Sequence, residues 1–158
     1  GSKFTLWEGG IRVPFILSRP GDPHGGQVSD QVISSLDIVP TCLDAARIRL
    51  PADLDGKPIV QSEEPRNLFW RFGETNSHAV RSGDWKLLHN GGRKNRQPTE
   101  GIVNRENLLK GTRLFNLKND SGESKDLSKD RPKVLKRLRE LYVQWSSEIT
   151  SQSLNLDK

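Results

Sequence analysis

The stretch AVRSGDWKLLH, residues 79–89, holds two short runs that read as strands, Ala79–Arg81 and Trp85–His89, joined by Ser82-Gly83-Asp84. Glycine supplies the positive φ that a tight hairpin needs, so the two runs fold back on each other as an antiparallel pair. Working outward, NLFWRF at Asn67–Phe72 and RLFNL at Arg113–Leu117 have the same short, aromatic and aliphatic character. The four runs together predict an antiparallel sheet. Asn90–Gly111, rich in glycine and basic residues and poor in apolar ones, is expected to be a long exposed excursion inside it.

Downstream, Val134, Leu135, Leu138, Leu141, Tyr142, Trp145 and Ile149 recur at three- and four-residue spacing. This spacing predicts a helix with one buried face, which the antiparallel sheet is best placed to cover. Asp130 is the expected cap and Pro132 lies in the first turn. Ser151–Lys158 continues without pattern and is expected to fray.

Upstream, IRVPFILS at Ile11–Ser18 is a nearly continuous apolar run, the pattern of a strand buried on both faces of a parallel or mixed sheet. Pro14 removes a ladder donor and predicts an irregularity or an edge there. Arg19–Gly26 is a turn-rich surface loop. Ser34–Ile48 reads as a helix in which Ser35 or Asp37 accepts the first free amide protons, Pro40 fits the first turn, and Val39, Leu43 and Ala46 share a face. Arg49–Pro65 contains three prolines and little hydrophobic pattern, so it reads as a connector. The resulting division is 1–60, 61–150 and a tail at 151–158.

The 158 residues include 32% hydrophobic and 28% charged side chains, a thin supply for one large core but, with four tryptophans and five phenylalanines, too much for a disordered chain. A formal charge of +5 suits an anionic partner, yet the excess lies in GRKNR (Gly92–Arg96) and KVLKRLR (Lys133–Arg139), where solvated charge is ordinary. No aromatic residues interleave the first cluster, so no nucleic-acid partner is expected. The single cysteine, Cys42, excludes an internal disulfide and a cysteine-rich zinc site. Neither a signal-like segment nor an apolar run long enough for a bilayer occurs, and no membrane partner is expected. His24, His78 and His89 have no spacing that brings two onto one metal, and nucleotide-binding loops, nucleophile elbows and zincin motifs are missing.

Lys3 differs from these. Held at the mouth of an apolar run by a Gly-rich turn, it offers a compact ammonium to an anionic substrate. Arg12 is expected to be buried and to pair with Glu8 across Gly9-Gly10 as a structural tie.

KFTLWEGGIRVPFILSRPG (residues 3–21) resembles the K-x-T-x-(aromatic)-EGG-x-R-x-P segment of the type I sulfatases, and SSLDIVPTCLDAARI (residues 34–48) resembles their D-(I/L)-x-PT-L-x-x-AG helix. DLDG (Asp53–Gly56), AVRSGDWKLL and RLFNLKNDSGESKDLS (residues 113–128) follow in the order of that family's C-terminal markers. The resemblance implies an α/β, alkaline-phosphatase-like fragment. Its C-terminal α+β subdomain would be a short antiparallel sheet packed on a long C-terminal helix, preceded by a strand and helix of the catalytic domain.

The resemblance also implies chemistry. The family hydrolyses sulfate esters with a formylglycine nucleophile, made from a C/S-x-P-S-R motif missing here, and with a calcium held by Asp-Asp and Asp-Asn pairs that lie outside this chain. Cys42 is not that nucleophile. The family lysine that contacts the substrate sulfate falls on Lys3, and a loop facing the substrate falls on His78, so these two are the candidate substrate-binding residues. No catalytic or metal-binding residue is expected within the fragment, which should be inactive alone. The substrate implied for the parent is a sulfate ester, most like a sulfated sugar such as N-acetylgalactosamine 6-sulfate, and the compartment periplasmic or extracellular.

Two alternatives are a non-catalytic module binding sulfated polysaccharide through Arg93, Lys94 and Arg96, and a related phosphate- or phosphonate-ester hydrolase. Two departures concern turns: Ala46-Arg47 replaces the family's Ala-Gly, and Asp120-Ser121 replaces its Asp-Pro. Strand Ile11–Ser18 and helix Ser34–Ile48 lack the rest of their expected sheet and should expose apolar surface, pairing with another copy, packing abnormally onto the small domain or staying disordered.

Overall fold

The computed structural model describes residues 5–18, 20–21, 26–59, 66–72, 76–91 and 111–156, with side chains through 151. Two compact units divide the chain: Gly1–Pro14 with Asn67–Lys158, and Phe15–Arg66.

The first unit is built on four strands, β1 (Asn67–Phe72), β2 (Ser77–Ser82), β3 (Trp85–Asn90) and β4 (Gly111–Asn116). They pair in chain order, every neighbour antiparallel. Ser82 pairs with Trp85, which leaves Gly83-Asp84 as a two-residue hairpin loop. Gly83 takes φ +58 and Asp84 stays at negative φ, the type II′ arrangement that matches strand twist. The expected sheet is therefore present, with each strand within a few residues of its sequence limits.

Both faces of this sheet are covered. Along β3, Trp85, Leu87 and His89 point one way and Lys86 and Leu88 the other, and Lys86, Leu87 and Leu88 are all buried. On one face Val80, Leu87 and Leu114 meet Leu138 of the C-terminal helix, with Phe69, Trp85, Val134, Leu135, Leu141 and Tyr142 around them. Fully burying Val80, Leu87, Leu114 and Leu138 contributes about 1.5–3 kcal/mol for each. Trp145 extends the contact by stacking on Phe69, ring centroids 5.0 Å apart and nearly parallel.

The opposite face, formed by Ala79, Leu88 and Phe115, is covered by the N-terminal segment through Leu6, Trp7 and Ile11. That segment includes a single turn of helix, α1 (Glu8–Ile11), closed by the Arg12 amide donating to the Glu8 carbonyl at 2.8 Å.

The C-terminal helix runs from Pro132 to Leu156, so residues 151–156, expected to fray, continue it. No glycine or proline interrupts Ser151–Leu156, and the helix has no signal to stop there. Proline occupies its first position, where the missing N–H costs nothing. Arg131 takes the capping position one residue after the expected Asp130, its carbonyl accepting the Leu135 amide at 3.1 Å.

Residues 11–18 are not a strand. Beyond Ile11 the chain is irregular, and Val13, Phe15, Ile16 and Leu17 are exposed. A strand needs a hydrogen-bonding neighbour, and among the described residues none pairs with this run. Arg12 is also exposed, contrary to its expected burial. The basic excursion with Arg93, Lys94 and Arg96 lies outside the described residues.

In the second unit the expected helix Ser34–Ile48 is shorter: a 3-10 turn (Ser35–Asp37) leads into α2 (Ile38–Ala45). Pro40 is buried, whereas Leu36, Ile38 and Val39 are exposed, so the face expected from Val39, Leu43 and Ala46 is not a buried one. Arg47 closes the helix at φ +57, with the Arg47 amide bonded to the Asp44 carbonyl and the Ile48 amide to that of Leu43, both at 2.9 Å. These two bonds are the Schellman pattern, made here with arginine where glycine fits best.

Candidate functional site

Three of the sequence segments singled out above converge in the first unit on one buried ammonium. Lys86, from WKLL in β3, is fully buried, and its Nζ donates to Glu8 Oε1 at 2.8 Å. Nζ also lies 2.8 Å from Glu123 Oε1 as an ion pair, without the angle of a hydrogen bond. Glu123 closes the triangle, its Oε2 accepting the backbone N–H of Glu8 at 2.6 Å. A lysine on an inward-facing strand position could not stay charged and buried without such partners.

The loop after β4 is shaped to deliver Glu123. Asp120 accepts the backbone N–H of Ser124 at 3.0 Å and that of Lys125 at 2.9 Å, winding the chain around its carboxylate. These amides, Lys125 first, hold the Asp120 carboxyl below the usual carboxylate range. Within that turn Glu123 adopts φ +55, a left-handed conformation rare for a residue with a Cβ, and its side chain is buried. The Asp-Ser departure at 120–121 thus leaves the turn intact. Asp126 accepts the Leu114 amide at 3.1 Å, and the Leu127 amide donates to the Leu114 carbonyl at 2.8 Å, tying the loop back to β4.

Glu8 was expected to pair with Arg12. It pairs with Lys86 instead, because the turn of α1 points its carboxylate at the sheet face. The signal for this was present: Lys86 shares the parity of Leu88, which places it inward, and acidic residues stand in both EGG and SGES. What sequence lacked was the distance relationship, since Glu8 and Lys86 are 78 positions apart.

Of the two candidate substrate contacts, Lys3 lies outside the described residues. It precedes by two positions Thr5, where the described segment begins. His78 is in β2 rather than on a loop, with its ring stacked on Tyr142 at a centroid distance of 3.8 Å and on His89 at 4.8 Å. Burial, then the neighbouring His89 and Arg139, push the His78 pKa down from 6.5 to about 4, so the imidazole is neutral near pH 7. His89 is lowered by burial and Arg139 and bonds Thr112 Oγ1 at 2.8 Å. The histidines therefore join the helix to the sheet.

In the second unit the SSLDIVPT and DLDG segments form a separate tie. Asp37 is buried, and its carboxylate accepts the amides of Ser34 at 2.7 Å and Lys57 at 2.9 Å and Nη1 of Arg66 at 2.7 Å. Burial opposes its ionisation, but Arg66 and these backbone donors outweigh it and lower the Asp37 pKa. Neither Ser35 nor Asp37 acts as the expected cap; the Ser34 hydroxyl accepts the Leu36 amide in a capping box with Asp37. The Thr41 hydroxyl accepts the Ile59 amide at 2.8 Å. Gly56 lies so close to the Leu36 carbonyl that any Cβ would collide with it, which explains a glycine after Asp-Leu-Asp.

Among the described residues no group of three or more His, Cys, Asp or Glu side chains is placed to hold a metal ion. Cys42 is free and exposed. No helix among the described residues is long and apolar enough to cross a membrane.

In a four-stranded sheet closed by a C-terminal helix, Glu8 of EGG, Lys86 of WK and Glu123 of SGES thus meet on the face opposite the helix. Residues 2–148 match the family model described as N-sulphoglucosamine sulphohydrolase, C-terminal, and the chain belongs to that family. It is similar to the arylsulfatase of Hemicentrotus pulcherrimus, 37% identical over 93 residues, covering 54% of this chain and 17% of the relative. It is also similar to the arylsulfatase of Clostridium perfringens, 35% identical over 97 residues, covering 54% of this chain and 20% of the relative. The chain matches no more than about a fifth of the length of these relatives. A solved structure from work on the metabolism of multiple glycosaminoglycans by Bacteroides thetaiotaomicron supports the fold, with TM-score 0.52 at 20% identity over 70% of this chain and 24% of that one.

Proposed function

We propose that this chain is the C-terminal part of an enzyme that hydrolyses sulfate esters, with sulfated sugars as the substrate class and a periplasmic or extracellular setting. The observation that carries the proposal is the family match across residues 2–148, which begins immediately before Lys3. Formylglycine, as nucleophile, and calcium, polarising the sulfate, would be supplied by residues outside this chain. This chain's own contribution is Lys3, whose ammonium would pair with a sulfate oxygen and keep that charge as negative charge builds on the leaving oxygen. The proposal leaves His78 to the stack between helix and sheet.

The test is hydrolysis of 4-methylumbelliferyl sulfate by the full-length protein and by the 158-residue chain alone. The full-length protein should turn the ester over, the chain alone should not, and Lys3→Ala should lower kcat/KM by about 100-fold. Turnover by the isolated chain would overturn its assigned inactivity; an inactive full-length protein or an indifferent Lys3→Ala variant would overturn the proposal itself.

A further inference from the structure

The Glu8, Lys86 and Glu123 triangle is more elaborate than adhesion requires. Leu6, Trp7 and Ile11 already supply apolar contact with the sheet, and a hydrophobic residue at position 86 could pack there without two carboxylates. Apolar contact tolerates sliding, whereas an ion pair and a hydrogen bond have a distance and a direction. Here both are applied to one residue of the N-terminal segment: the Glu8 carboxylate is held by Lys86, and the Glu8 backbone N–H by Glu123. Side chain and main chain of a single residue are thus fixed from two different elements. Glu123 is held in a left-handed backbone conformation to do this, an unfavourable geometry retained where the surroundings require it.

We infer that Lys86 and Glu123 are positioning residues that set the register of the N-terminal segment on the sheet, and through it the reach of Lys3, five positions before Glu8. The inference rests on the reading that Lys3 meets the sulfate. Neither residue touches substrate, and both act through Glu8.

The experiment uses the full-length enzyme with Lys86→Met, Glu123→Gln and Lys3→Ala, singly and in pairs. Glu123→Gln keeps the size of the side chain and serves should Lys86→Met fail to fold. Hydrogen exchange should quicken by about tenfold or more at Thr5–Ile11 while the β2 and β3 amides keep their protection. With 4-methylumbelliferyl sulfate, KM should rise about tenfold in Glu123→Gln, and the losses in kcat/KM should be far from additive with Lys3→Ala, because both changes remove the same contact.

Exchange that quickens equally across the sheet, an unchanged KM, or additive losses would overturn the inference and assign the triangle to stability alone. An inactive wild type would instead overturn the functional reading. An active wild type with additive variants overturns only the positioning role.

Discussion

The His78 ring lies nearly parallel to that of Tyr142, 7° between planes and 3.8 Å between centroids, so a strand residue and a helix residue share one stacked face. A proton on His78 would place charge in that half-buried stack beside His89 and Arg139, and its pKa is accordingly lowered to about 4. The unfolded chain accepts this proton near pH 6.5 and the folded chain does not. The stability that depends on a neutral His78 is therefore fully present above about pH 6.5 and declines as the pH falls toward about 4. Urea midpoints at about pH 7.5 and about pH 5 should separate clearly in the wild type and less in His78→Phe, which keeps the aromatic stack. The remaining slope belongs to His89, shifted in the same direction. Equal slopes in the two proteins would refute this account.

Arg47 sits where the Schellman motif favours glycine, at φ +57. Relieving the left-handed strain contributes more than the added freedom of glycine in the unfolded chain costs. Arg47→Gly is expected to stabilise the second unit by up to about 1 kcal/mol. Thermal unfolding followed by hydrogen exchange at residues 38–48 measures it, and a lower midpoint would count against the strain argument.

Leu138 and Val143 are five residues apart on one helix and differ in what they touch. Leu138 is fully buried against Val80, Leu87 and Leu114, whereas Val143 is 66% exposed. Leu138→Ala should cost about 2–5 kcal/mol, and Val143→Ala no more than about 0.5 kcal/mol. Chemical denaturation of both variants decides; similar losses would mean that the helix packs on another face.

The parts legible in sequence are those whose cause is local. Gly83 predicts its own hairpin, the short aromatic runs predict β1 and β4, and the spacing from Val134 to Trp145 predicts the buried side of the helix. The parts that were not legible depend on partners far along the chain. Apolar composition at 11–18 says that a neighbour is wanted and not whether one is present, and the same holds for Ile38 and Val39 of α2. Lys86 could be placed inward by parity, but its burial is permitted only by carboxylates from two distant loops. The candidate substrate contact was legible only as a resemblance centred on Lys3, because no local pattern assigns a ligand to a lysine after Gly-Ser.

The covers of the sheet come from segments on either side of it in sequence, Leu6 to Ile11 on one face and Val134 to Trp145 on the other. A growing polypeptide makes β1 to β4 before the helix exists. The face carrying Val80, Leu87 and Leu114 therefore stays wet for the seconds of translation that separate β4 from the end of the helix. During that interval the nascent sheet offers a chaperone an apolar target, and the packing of Leu138 onto it removes that target.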